Sequence, residues 1–166
     1  MARIEDLAAR YQSHISAPWQ RNLAGGQKTV FVVYPPADER RLRAKIELFE
    51  LATKQAQHAW RLFDFTNCFA RWMAGTEYRD IYFEEPETLA MKLSSGFLQF
   101  AAGELGDALR DDDVDDQTVV AVSGVASLFG FTKVSLVLKE VEHGIRGRLV
   151  LFFPGEYAEN HYRLLD

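Results

Sequence analysis

A single cysteine, Cys68, stands in a chain of 166 residues, which excludes an internal disulfide and any metal site built from several thiolates. Basic residues are not in excess either. The formal net charge is −5, whereas a general nucleic-acid surface carries surplus Lys and Arg to neutralise phosphates. No apolar run approaches the roughly 18 residues that suggest a membrane span. The amino terminus does not resemble a signal peptide, because Glu5, Asp6 and Arg10 interrupt Ile4, Leu7 and Ala8. These absences predict a cytoplasmic protein with neither a membrane nor a nucleic-acid partner.

Apolar residues make up 48% of the chain and charged residues 26%, the balance of an ordinary globular domain. Twelve Phe, six Tyr and three Trp suffice for a well-filled core or an aromatic contact surface. At this length one domain over residues 1–166 is expected, with residues 1–25 as an amino-terminal helical segment. Ile4, Leu7, Ala8 and Tyr11 recur at helical spacing within Ala2–Ser16. Thr29–Tyr34 (TVFVVY) is a β-branched run of the kind covered on both faces. After Pro35-Pro36, Leu42, Ile46 and Phe49 share one face of a charged helix, with Ala52 and Ala56 on the next stripe. Trp60–Asp64 (WRLFD) reads as a second strand, and Thr66 as the N-cap of a short helix bearing Phe69, Ala70 and Met73. Thr76–Pro86 is aromatic, acidic and unassignable by pattern. Ser94 or Ser95 is placed to cap a helix from Phe97 to Leu109.

Val119–Ser123 (VVAVS) and Leu149–Phe153 (LVLFF) complete four strands, with a helix between them carrying Val134, Val137, Leu138 and Val141 and stopping near His143-Gly144. Strands separated by helices predict an α/β domain. Its mainly parallel sheet has four or five strands flanked by helices, in a Rossmann-like or P-loop-like topology without a working P-loop.

Each motif that carries chemistry fails in detail. Gly124 to Lys133 (GVASLFGFTK) follows a strand and precedes a helix, the right place for an anion. A phosphate loop, however, has four residues between its glycines and then Lys-Ser/Thr. Here five intervene, Phe131 follows Gly130, and Thr132 and Lys133 come in reversed order. Asp111–Asp116 (DDDVDD) lacks the spacing, the central Gly and the terminal Glu of a calcium loop. His14, His58, His143 and His161 are scattered, and His143 is explained by a helix carboxyl end. Ser123 has no flanking glycines at the elbow positions. Cys68 reads as a small buried residue. Adjacent residues Glu84 and Glu85 diverge and make a poor acid/base pair. Arg40, Arg41, Arg43 and Lys45 alternate with Glu39, Glu47 and Glu50 as a solvated helix face. No catalytic residue, cofactor or metal ligand is therefore predicted. One alternative stays open: a degenerate nucleotide-binding or phosphoester-acting enzyme using the crevice at the strand carboxyl ends, near Ser123, Gly124 and Pro154.

The most informative stretch is RGRLVLFFPGEYAENHYRLLD, residues 146–166. A buried-strand run breaks at Pro154-Gly155, and Glu156, Tyr157, Asn160, Tyr162 and Arg163 follow at the carboxyl end of a strand, where α/β sheets meet ligands. Two tyrosines and an arginine close together are the residue types of interface hot spots. These five are the candidate protein-contact residues, in a tight turn followed by a polar loop. The same stretch resembles the BrxB family of bacteriophage-exclusion (BREX) defence systems, as do VVAVSGVASLFGF and, less specifically, VFVVYPP and WRLFDFT. That resemblance implies a non-enzymatic assembly component in phage defence. Its expected partner is the phosphatase-like protein PglZ, or else the large ATPase BrxC. It also implies a chain that continues past Asp166.

Overall fold

The computed structural model describes residues 3–20, 22–75, 96–158 and 161–163. Helix α1 (Ile4–Ser16) is followed by β1 (Thr29–Tyr34), α2 (Glu39–Gln55), β2 (Ala59–Asp64) and α3 (Cys68–Gly75). Then come α4 (Leu98–Arg110), β3 (Thr118–Ser123), α5 (Val134–Val141) and β4 (Arg148–Pro154), and a small hairpin of β5 (Glu156–Ala158) and β6 (His161–Arg163). The four long strands form one parallel sheet in the order β1-β4-β3-β2. The unassigned stretch 76–86, Glu84, Glu85 and the Ser94/Ser95 cap lie outside the described residues.

Side chains alternate across the two central strands, and each set has its own helices. Val119, Ala121, Val150 and Phe152 join Val32 and Tyr34 beneath α1 and α2. Val120, Val122, Leu149, Leu151 and Phe153 face the opposite way, onto α3, α4 and α5. Every residue of β3 and of β4 is buried, which is why their sequences run apolar without a break. At one edge, β2 mixes Arg61 and Asp64 with Trp60 and Phe63 and is only half-buried.

Strand β1 corrects an expectation. TVFVVY reads as a strand covered on both faces, yet it sits at the other edge of the sheet, with only Val32 and Tyr34 buried. Its apolar character serves an open cleft instead, described below. Thr66 is a second correction. Its backbone N–H and hydroxyl both donate to Asp64 Oδ1, at 2.9 and 2.6 Å, so it closes a turn at the end of β2 and does not cap α3. The carboxylate two residues upstream competes successfully for the hydroxyl.

The α1–α2 layer is pinned by aromatics. Phe49 is fully buried, 5.5 Å from the Tyr11 ring and 4.9 Å from the Phe152 ring, and the Tyr11 hydroxyl meets that of Thr53. Across the sheet, the acidic loop before β3 is more than solvated charge. Asp111 accepts from the Asp113 N–H, Asp115 accepts from the Gln117 N–H and the Thr118 hydroxyl, and Val114 is buried beneath them.

Candidate functional site

The carboxyl ends of the strands carry two constructions. Chain leaving β1 turns to the α2 face, whereas chain leaving β3 turns to the α5 face. The reversal falls over β4, where parallel sheets open a crevice.

Over β3 and β2 that crevice is closed by a polar network. Tyr34 donates to Glu39, and Arg43 Nε reaches Glu39 Oε1 at 3.1 Å. The same guanidinium donates to the Thr66 hydroxyl at 3.0 Å and faces Asp64 at 3.8 Å. Burial, helped by the Glu39 carboxylate, pushes the Tyr34 phenol far above its ordinary range, so it remains a donor. Gly124 sits beneath in the left-handed region at φ 70°. A Cβ there would lie 2.1 Å from Asp64 Oδ1 and 2.8 Å from the Thr66 nitrogen. Ser123 is 5% exposed, and its carbonyl accepts the Phe65 N–H.

The loop from Gly124 to Lys133 is likewise occupied with itself. The N–H groups of Ser127, Phe129, Phe131 and Thr132 donate to the carbonyls of Gly124, Ala126 and Leu128. A phosphate loop keeps such groups free to point at an anion. Val125 and Leu128 are buried in the core, so this junction packs as structure. The charged helix run also differs from a purely solvated face, because Arg43 reaches across to the end of β2.

Over β1 and β4 the crevice is open, as a cavity of about 690 Å³. Phe31 comes from β1, Phe153 from β4, Leu138 from α5, and Phe129 and Phe131 from the loop between β3 and α5. Gly130, at φ 84° with open space where a Cβ would stand, lets the chain reverse between the two loop phenylalanines. Phe129 therefore turns to Phe153, at 6.0 Å, while Phe131 stacks on Phe69 at 4.1 Å and stays 36% exposed. Thr132, Lys133 and Ser135 supply the polar part of the lining. An apolar cavity with few polar groups is the usual form of a recognition site. Sequence reasoning registered Phe131 only as departing from a phosphate-loop pattern, and it missed Phe31, Phe129 and the Tyr34–Glu39–Arg43–Asp64 network as parts of a site.

The chain that leaves Phe153 of this cleft runs directly into the segment of the predicted contact residues. Beyond β4 the backbone forms not a polar loop but the antiparallel hairpin β5–β6, with Glu156 opposite Arg163 and Tyr157 opposite Tyr162. Four of the five are thus paired in register; Asn160 lies outside the described residues. The Gly155 N–H donates to the Tyr34 carbonyl at 2.9 Å, tying the start of the hairpin to the end of β1.

No protein-family model, curated protein or solved structure matches this chain. Among the described residues no cluster of His, Cys, Asp and Glu could hold a metal, and no helix is long and apolar enough to cross a membrane.

Cys68 is fully buried, and burial, reinforced by the Glu104 carboxylate, pushes its thiol up to about 12. An unfolded thiol ionises near pH 8.5, and only the thiolate reacts. Iodoacetamide at pH 8 is therefore expected to leave the native chain unmodified and to label it in urea, as read by intact mass. Rapid labelling of the native chain would contradict the buried placement. Stability linked to this group is present below the unfolded thiol's pKa and is lost as pH rises through its folded value.

Proposed function

We propose that this chain is a BrxB-like, non-enzymatic adaptor that works in the cytoplasm and assembles a BREX phage-defence complex. In this reading it docks another BREX protein, PglZ first and BrxC second, through the aromatic cleft and the β5–β6 hairpin. The observation that carries the reading is the cleft itself: four phenylalanines from three separate segments converge beside an edge strand. Aromatic residues concentrate at the desolvated centres of interfaces, with polar groups at the rim. The family-like motif RLVLFFPGEY contributes Phe153 to that cleft and leads directly into the hairpin.

Size-exclusion chromatography with light scattering, on the chain mixed with purified PglZ, tests this reading. A co-eluting complex is expected. Phe131→Asp should weaken it by at least ~2 kcal/mol, about 30-fold, as truncation of an interface hot spot does. Because Phe131 is partly exposed, the variant's melting temperature serves as the check that it folds. Failure of both PglZ and BrxC to bind, with each partner shown to be folded, ends the proposal. The competing enzymatic reading is examined by thermal shift with nucleotides and divalent ions, where a ligand at 100 times its Kd stabilises by about 2.7 kcal/mol.

A further inference from the structure

A second cavity, of about 400 Å³, opens at the amino-terminal ends of the strands, away from the aromatic cleft. Lys28 precedes β1, His58 precedes β2, and Arg146 and Arg148 stand at the start of β4. Arg148 is 8% exposed. Its guanidinium lies 4.8 Å from the centroid of the Trp19 ring and donates to the carbonyls of Gly147 and Gln20, at 2.9 and 3.2 Å. Trp19 in turn stacks on His58, with centroids 3.6 Å apart. Lys28 Nζ donates to the Ile145 carbonyl at 3.1 Å. Arg146 donates to the carbonyls of Arg110, Asp111 and Val114.

Carbonyl dipoles orient these cations without neutralising them. Arg41, Arg43, Arg61, Arg71 and Arg110 are each ion-paired with a carboxylate. Among the described residues, neither arginine of this cavity nor Lys28 has such a partner. The lining sets three cations, Lys28, Arg146 and Arg148, against one carboxylate, Asp116. Arg146 also feels Asp111 and Asp115 across the neighbouring loop. For Arg148 burial acts alone: it lowers the guanidinium's pKa with no carboxylate opposing the shift. A buried charge held without a counter-charge is costly, and an anion seated against Arg148 would offset that cost.

We propose that this cavity binds a small phosphoanion, with a phosphoryl or pyrophosphoryl group seated against Arg148 and Lys28. Two cations lining one cavity match a group bearing two or more negative charges better than a single carboxylate, and charge-assisted bonds from guanidinium to phosphate are the strong ones. Trp19 and His58 form one wall, and Gln117 supplies a neutral polar group.

Isothermal titration calorimetry of the whole chain with inorganic phosphate and with pyrophosphate, at ionic strength matched by chloride, tests the assignment. Saturable one-site binding is expected, tighter for pyrophosphate. Lys28→Met should weaken it about tenfold, the scale of one lost hydrogen bond to a charged group. Arg148→Lys, which keeps the charge but not the fork, should also weaken it. Lys54→Met, on the exposed face of α2, should leave affinity unchanged. Melting temperatures of the unliganded variants establish that each is folded. An absence of saturable heat with either anion at millimolar concentration would overturn the inference. So would a loss in Lys54→Met equal to that in Lys28→Met, since binding would then follow net charge alone.

Discussion

Phe49→Ala is expected to remove about 3–5 kcal/mol of folding stability, the range for truncating a buried phenylalanine. The site leaves little room for relaxation. Phe49 has no exposure and lies between the Tyr11 ring of α1 and the Phe152 ring of β4, so its loss opens a void where two helices and the sheet meet. Tyr11 would lose its neighbour while its hydroxyl stays held by Thr53, which hinders α1 from sliding into the gap. Against the 5–15 kcal/mol that typical domains possess, such a loss takes a large share of the total. Urea denaturation checks it: the midpoint should fall steeply with the slope unchanged. Phe49→Leu keeps most of the volume and is expected to cost no more than about 1.5 kcal/mol. A drop below ~1 kcal/mol for the alanine variant would mean that the α1–α2 layer is not packed on the sheet as described.

Gly124→Ala is the second large effect, at about 3 kcal/mol. Two causes combine. A left-handed backbone costs a residue with a Cβ roughly 1–2 kcal/mol. The new carbon also falls within van der Waals contact of Asp64 Oδ1 and of the Thr66 backbone nitrogen. Relief requires breaking the Asp64–Thr66 bonds, at about 1–3 kcal/mol for a polar group left without its partner. Gly130→Ala separates the two causes, because Gly130 has the same backbone sign but open space around its Cβ position. It should therefore carry the conformational cost alone, about 1–2 kcal/mol. Equal losses at the two glycines would show that the polar network over the crevice yields without resistance.

The four strands of the sheet were legible because two different signals agreed at each. Continuous apolar runs marked β3 and β4, and turn residues bounded them. The position of β1 was not legible. A run such as TVFVVY looks the same whether helices cover it or a cleft uses its phenylalanine, and only the strand order β1-β4-β3-β2 places it at an edge. The hairpin after β4 escaped for another reason. Strands of three residues are too short to show a period-2 pattern, and Ala158–His161 contains none of the turn dipeptides that announce a hairpin. Glu156, Tyr157, Tyr162 and Arg163 could be picked out by residue type and by their place after a buried strand, while their arrangement could not. The cleft drew its parts from β1, β4, α5 and a loop, and so left no local trace. Arg148 was hidden inside a strand motif, where a charge at the first position reads as a boundary residue. Its lack of a counter-charge shows only in three dimensions.

The pairing of β1 with β4 also has a consequence in time. Thr29 meets Leu149 and Tyr34 meets Pro154, so among the described strands of the sheet β1 pairs with β4 alone, the earliest made of the four with the last. Until then α1, β1 and α2 can pack on one another, with Val32 and Tyr34 beneath the helices, but Leu42 and Phe49 face central strands that do not yet exist. Contacts so distant along the chain slow folding, and apolar surface left waiting in a nascent chain invites aggregation. The β2–β3–β4 segment, whose strands are neighbours in both sequence and space, can assemble as the template onto which the earlier-made third of the fold docks. Expression of this protein should accordingly depend more on chaperone supply than its modest size suggests.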